Sequence, residues 1–154
     1  RLYLSKFFSM ETGMLHLHSL LRWVILLLLL VGLFQAFSKK ESIRSTSLWL
    51  MIAAHTMLLI GLYQWIAGRY GIMKGLPENV PSLMKDSFYR FYWVEHPLLM
   101  IVAIVLITLA RGKAKALNYK NTGWLLLIAL IFILVAVPWP FREIGAGRGW
   151  FPGM

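Results

Sequence analysis

The chain of 154 residues contains no cysteine and only six acidic residues. Without thiols it forms no disulfide, binds no metal through thiolate and attaches no c-type haem covalently. The sequence also lacks a Walker phosphate-binding loop, a GxSxG elbow and an HExxH helix, which are the usual signatures of nucleotide-binding, esterase and metallopeptidase sites. No nucleophile with an adjacent base is evident, and this excludes the familiar hydrolase classes.

Four long apolar runs fill most of the chain, in which 59% of the residues are hydrophobic. A helix needs about 20 apolar residues to cross a bilayer, and runs of that length or nearly so occupy 15–37, 47–67, 94–110 and 123–139. Segments such as VILLLLLVGLF carry no polar stripe of the kind that a soluble bundle helix requires. The sequence therefore predicts an all-α membrane protein, in which residues 1–154 form a single domain of four transmembrane helices in an up-down bundle.

The segments between and after the spans predict two further features. Within 68–93, GIMKGLPENVP indicates a loop, and Ser82 is the expected N-cap of a short interfacial helix before the third span. The C-terminal PWPFREIGAGRGWFPGM leaves the membrane at its first prolines and covers the outer surface. The first nine residues lack a small-residue cleavage site, so we do not expect them to form a complete signal peptide.

Sixteen Lys and Arg residues against six acids give a net charge of +10. The basic residues lie at the ends of the apolar runs, where they contact lipid head groups, so nucleic acid is not expected as a partner. The positive-inside rule places the short, dense basic loops 38–46 and 111–122 in the cytoplasm, and both termini outside. We expect a multi-pass protein of the bacterial cytoplasmic (inner) membrane. The loop cations are Lys39, Lys40, Arg44, Arg111, Lys113, Lys115 and Lys120.

His18 and His96 occupy matching positions in two similar helical hairpins. HSLL at 18–21 aligns with HPLL at 96–99 at an offset of 78, and AGRYG at 67–71 aligns with AGRG at 146–149 at an offset of 79. The agreement of the two offsets suggests an internal duplication. The first and third spans then run in the same direction, and an axis along the membrane normal would direct both imidazoles to one central point.

Two imidazoles at equal depth on facing helices are the ligands that a b-type haem uses. His18 and His96 are therefore candidate metal ligands, and Arg22, one turn deeper than His18, is a candidate partner for a haem propionate or for Glu95. A structural alternative stays open, because a histidine near a membrane interface also hydrogen-bonds carbonyls or phosphates. His16 lies two residues from His18 on a different side of the helix, and we interpret it as such a structural residue.

His55 lies near the middle of the second span, well below the expected depth of His18 and His96. An ionisable residue at that depth has a function by default. If the second helix is shifted, His55 replaces one of the two haem ligands; otherwise it contacts a quinone, a proton path or a neighbouring subunit. Thr56 and Gln64 are its candidate polar neighbours.

Four segments, LHLHSLLRW at 15–23, AAHTMLLIGL at 53–62, RFYWVEHPLLM at 90–100 and VPWPFR at 137–142, together resemble small bacterial four-span membrane proteins labelled cytochrome b-like. The resemblance touches all four spans. It implies haem b and makes His18, His55 and His96 the matching positions for axial ligands, without deciding which two bind the iron. Better-known four-helix b cytochromes hold two haems at opposite faces, whereas only one histidine pair is evident here.

The leading hypothesis is therefore a membrane b-type cytochrome or cytochrome-like subunit that transfers electrons between a quinol pool and a partner at the outer face. Haem b is its expected cofactor, with a quinone as a second candidate. The alternative is a cofactor-free accessory subunit that packs in a larger respiratory membrane complex. Both hypotheses predict the lipid membrane as environment, and either other membrane subunits or further copies of this chain as partners. A small transporter is a third idea, but no span is interrupted by Gly or Pro at mid-depth.

Overall fold

The structure, a computed structural model, describes the backbone of residues 2–145 and 149–151 and the side chains of residues 10–144 and 149–151. The helices in this part of the chain are α1 (Leu2–Phe37), α2 (Ile43–Ala67), α3 (Ser87–Arg90), α4 (His96–Lys115) and α5 (Tyr119–Ala136). Short 3₁₀ turns occupy Ile72–Lys74 and Glu143–Gly145, and a π-helical turn occupies Phe91–Glu95.

Four helical segments are long and apolar enough to cross a membrane, as the sequence predicts. They are Met10–Phe37, Ile43–Lys74, Ser87–Lys115 and Tyr119–Ala136. The predicted class, an all-α membrane protein with a four-helix bundle, is confirmed. All four spans begin earlier than the apolar runs do, because polar and aromatic residues at the runs' ends continue the helix.

The four spanning helices form a closed ring of neighbours. Helix α1 packs against α2 and α5, and α4 packs against the same two helices. Helices α1 and α4 therefore lie diagonally across the bundle, and residues on their inner faces point towards a common centre.

Small residues allow the helices to approach closely. Seven alanines are at most 1% exposed, and they lie on all four spanning helices. In lipid, helices associate through close van der Waals packing because the surrounding chains are as apolar as the side chains. The small side chain of alanine permits that close contact. The seven are Ala36, Ala54, Ala103, Ala110, Ala114, Ala129 and Ala136.

The short helix before the third span begins later than predicted. Its N-cap is Asp86, whose carboxylate accepts a hydrogen bond of 2.9 Å from the backbone N–H of Tyr89. Ser82, the predicted N-cap, lies instead in the preceding turn. Helix α3 then continues through the π-helical turn into α4, so the third span extends over 29 residues.

The fourth span ends before the predicted limit of residue 139. Its C-cap is Val137, which is extended at φ −73° and ψ 128°. A proline disfavours helical geometry in the residue before it, and Pro138 has this effect on Val137. The last carbonyls of α5, including that of Ala136, are thereby left available to side chains from other helices.

The bundle is tightly packed around Gly32 of α1, and a substitution at this residue tests that packing. A Cβ added there would lie 3.2 Å from Cδ1 of Leu126 and 3.6 Å from Cδ1 of Ile43, both fully buried. We expect Gly32→Leu to lower the free energy of unfolding by about 1–3 kcal/mol, the usual cost of overpacking a core. The measurement is the thermal unfolding midpoint of the detergent-solubilised protein.

Gly112 provides the matched control for this substitution. It lies in α4, it is exposed, and an added Cβ would meet nothing within 4 Å. Gly112→Leu should leave the midpoint unchanged or raise it, because leucine forms helix better than glycine. Equal midpoints for the two variants would contradict the packing described above.

Candidate functional site

His18 and Arg22 lie on the inner face of α1. Residues 11, 15, 18, 22 and 25 of this helix all line one cavity, and their spacing of three or four keeps them on one side of the helix. His16 also borders the cavity, but its position is rotated by about 200° from that of His18. His18 is thus the histidine of this pair that faces the centre.

His96 is oriented by the π-helical turn that precedes it. The backbone N–H of His96 donates to the carbonyl of Phe91, five residues earlier. Residues five apart differ by about 140° in an α-helix, whereas a π-helical turn brings them into line. Phe91 is 1% exposed, and its ring lies 5.9 Å from that of His96 between centroids. The turn therefore directs both side chains into the bundle.

A backbone carbonyl fixes the tautomer of His96. Its Nδ1 lies 2.8 Å from the carbonyl oxygen of Ala136, at the end of α5. A carbonyl only accepts hydrogen bonds, so Nδ1 carries the proton and donates it. In the neutral ring the lone pair is then on Nε2.

The imidazoles of His18 and His96 meet across the bundle. Their ring centroids are 6.3 Å apart and their planes differ by 52°. Two imidazoles on opposite sides of one metal ion, with metal–nitrogen bonds of about 2.0 Å, have centroids about 6 Å apart. The observed spacing fits that requirement. The prediction that α1 and α4 direct both rings to one central point is confirmed.

The rings border a cavity of about 620 Å³, within the range of small-molecule and cofactor sites. Apolar side chains from all four spanning helices line it, including Ile25, Met57, Ile107 and Ile133. Polar and charged side chains line it as well, including Glu11, Thr12, Arg22, Arg69 and Tyr92. A mostly apolar lining that also carries two arginines suits a flat apolar group that bears anionic substituents.

Gly61 leaves space in the cavity beside His18, because it has no side chain. A Cβ added to Gly61 would lie 3.5 Å from Cε1 of His18, which is ordinary contact distance. A longer side chain would project into the space beside the ring. Gly61 lies on the inner face of α2, which also includes Ala54, Leu58 and Gln64.

Arg22 contacts the C-terminal segment. The Arg22 guanidinium donates a hydrogen bond of 2.8 Å to the carbonyl of Trp150, and the same carbonyl accepts one of 2.9 Å from the indole N–H of Trp23. The guanidinium carbon lies 5.2 Å from the ring centroid of Trp23 and 5.8 Å from that of Trp139. The suggested partner Glu95 instead forms an ion pair of 2.7 Å with Arg90. Arg22 thus places a cation on the lining of the cavity.

The structure does not bring His55 to the cavity. His55 is six residues before Gly61, which corresponds to about 9 Å along α2 and a rotation of about 240°. It is exposed, and it borders a different groove between α2 and α4. The suggested neighbour Gln64 borders the central cavity instead, where its buried Nε2 has no hydrogen-bond partner among the described residues.

The roles of Gly61, of the Ala136 carbonyl and of the π-helical turn are not evident from the sequence. Nothing in the residue types at 91–95 distinguishes a π-helical turn from an α-helical one.

Within residues 10–144 and 149–151, no three His, Asp or Glu side chains cluster as a metal site, so a metal here would have the two imidazoles as its protein ligands. In comparisons with family models, curated proteins and solved structures, no match to the chain was found.

We expect nitrogen-15 NMR of the histidine-labelled, metal-free protein in detergent to show His96 protonated at Nδ1, because the Ala136 carbonyl requires a donor. His96→Gln assigns the signal by removing it. A neutral His96 protonated only at Nε2 would contradict the orientation described above.

Proposed function

We propose that the chain is a membrane b-type cytochrome, or a cytochrome-like subunit, in which His18 and His96 bind the iron of haem b. The observation that carries the proposal is the 6.3 Å separation of their ring centroids at the border of the central cavity. Histidines from facing helices are the common axial ligands for haem inside a helical bundle. The resemblance to cytochrome b-like proteins points the same way.

The chain's own residues have distinct roles in this proposal. The carbonyl of Ala136 orients His96 through its Nδ1, so Nε2 is the ring nitrogen that would bind the metal, and the hydrogen bond at Nδ1 would make Nε2 a stronger ligand. Arg22 and the Nε2 of Gln64 offer hydrogen bonds to carboxylate groups. The apolar lining excludes water and thereby influences the reduction potential.

When bound, haem b supplies a one-electron couple between ferric and ferrous iron. We infer that electrons pass between a quinol pool and a partner at the outer face of a bacterial inner membrane. The positive-inside distribution of Lys and Arg supports this direction, because it predicts that both termini lie outside. Other membrane subunits, or further copies of this chain, are the expected partners within the bilayer.

An absorption spectrum tests the proposal. The detergent-purified protein should show a reduced-minus-oxidised haem band, and a pyridine assay should identify haem b. His18→Ala and His96→Ala should each remove most of the bound haem, because each loses one of the two axial ligands. His16→Ala and His55→Ala are the matched controls and should retain it, since neither ring faces the other two across the bundle.

Loss of haem from the His55 variant but not from the His18 variant would contradict the assignment of ligands. A colourless protein, expressed at full length in haem-supplied cells, would contradict the whole proposal. That outcome would favour the alternative of a cofactor-free accessory subunit.

Gly61 gives a second test, which leaves both histidines in place. Gly61→Phe should fill the space beside His18 and reduce the haem-to-protein ratio severalfold, because an added side chain begins 3.5 Å from that ring. Gly61→Ala should retain haem, since its Cβ makes only ordinary contact. The measurement is the pyridine haem assay on equal amounts of folded protein. Equal haem content in both variants would show that the cavity beside His18 is not the site.

A further inference from the structure

A second groove, separate from the central cavity, lies between α2 and α4 and faces away from the bundle. Its volume is about 300 Å³. Its walls are aliphatic except for two polar side chains, His55 of α2 and Thr108 of α4. His55 is the thirteenth of the 25 residues of α2, which places it near the middle of the membrane.

Both polar side chains in this groove present hydrogen-bond acceptors. Nδ1 of His55 lies 2.8 Å from the carbonyl oxygen of Met51 and must donate to it, which leaves the acceptor lone pair of the neutral ring on Nε2. The hydroxyl of Thr108 donates to the carbonyl of Ile104 at 2.8 Å, so its oxygen retains acceptor lone pairs. The groove therefore matches a ligand that carries hydroxyl donors.

The surrounding hydrocarbon offers no hydrogen-bond donor to these groups. A polar atom left without a partner in such a medium is costly, and intramembrane ionisable side chains commonly mark ligand sites. A compatible ligand must therefore be soluble in lipid, narrow enough for an aliphatic groove and equipped with a donor. A hydroquinone ring with an alkyl tail has all three properties.

The groove and the central cavity share a wall. Leu58, Ile101 and Ile104 line both spaces. A ring in the groove would thus be separated from the central cavity by a single layer of side chains.

We propose that the α2–α4 groove binds the hydroquinone head of a lipid-soluble quinol, with Nε2 of His55 accepting a hydrogen bond from a ring hydroxyl. The choice of a quinol, among lipid molecules with hydroxyl groups, rests on the proposed electron-transfer function and on the shared wall. The binding site itself depends only on the groove and its two acceptors.

The test is a binding titration with decyl-hydroquinone. The full chain is placed in phosphatidylcholine nanodiscs with dithionite, which keeps the probe and any haem reduced. Nitrogen-15 NMR of labelled histidine then reports the shift of His55 Nε2. We expect saturable binding that His55→Leu weakens about tenfold, the value of one hydrogen bond of this kind. The dimethyl ether of the probe, which has no donor, should bind about tenfold more weakly than the hydroquinone.

For the variant protein, in which the His55 signal is absent, retention of radiolabelled probe by the nanodiscs measures the affinity. Thr56→Val is the matched control. Thr56 is the neighbour of His55 on α2, and its hydroxyl makes the same kind of bond, to Ile52 at 3.0 Å, but it does not line the groove. This variant should bind the probe as the natural chain does. Since His55 is exposed, His55→Leu should fold normally, and an unchanged thermal midpoint confirms this.

Equal affinity for the ether, or unchanged affinity in His55→Leu, would overturn the proposal. Equal affinity for decanol would overturn the choice of a hydroquinone in favour of lipid alcohols in general. The His96→Ala protein separates this inference from the proposed function. It should lose haem and still bind the probe, whereas a haem-containing protein that fails to bind the probe refutes the groove alone.

Discussion

Hydrocarbon supplies no hydrogen bonds, so a polar side chain inside a membrane protein must find its partner within the molecule or in a ligand. The meeting of His18 and His96 at the centre of the bundle depends on this constraint. Helices α1 and α4 are diagonal neighbours, the π-helical turn at Phe91–Glu95 directs His96 inwards, and the carbonyl of Ala136 receives its Nδ1 proton. Small residues along the helix contacts allow the close packing that brings the two rings within 6.3 Å.

Two histidines, His96 and His55, make the same hydrogen bond but face different sides of the bundle. His96 and His55 each donate from Nδ1 to a backbone carbonyl, so each neutral ring has its acceptor on Nε2. His96 faces inward to the cavity, and His55 lies off the inner face of α2 and borders the outer groove. Helical geometry accounts for the difference: Ala54, Leu58, Gly61 and Gln64 lie on the inner face of α2, and His55 is rotated by about 240° from Gly61, to the side that borders the groove. The cavity beside His96 and the groove beside His55 differ in access to lipid, and the aliphatic side chains of Leu58, Ile101 and Ile104 line both.

The sequence predicted the coarse architecture well, because four long apolar runs in a chain of this length have few alternatives to a membrane bundle. It also predicted that His18 and His96 meet, from their equal depth on parallel spans. Helix ends were less predictable: Asp86 caps α3 in place of Ser82, and Val137 ends α5 because of the proline that follows. The partner of Arg22 was missed because the chain returns to it from 128 residues away. The second anchor of the proposed duplication, AGRG at 146–149, lies mainly outside the described residues, so the duplication stays a prediction.

The spin state of the proposed haem iron tests the central claim most directly, because it reports the number and kind of the iron's ligands rather than the mere presence of haem. Electron paramagnetic resonance of the oxidised, purified protein should show a low-spin ferric signal, as two strong imidazole ligands from His18 and His96 require. A high-spin ferric signal would mean that at least one of these imidazoles does not bind the metal, and it would contradict the arrangement of the two rings around one iron.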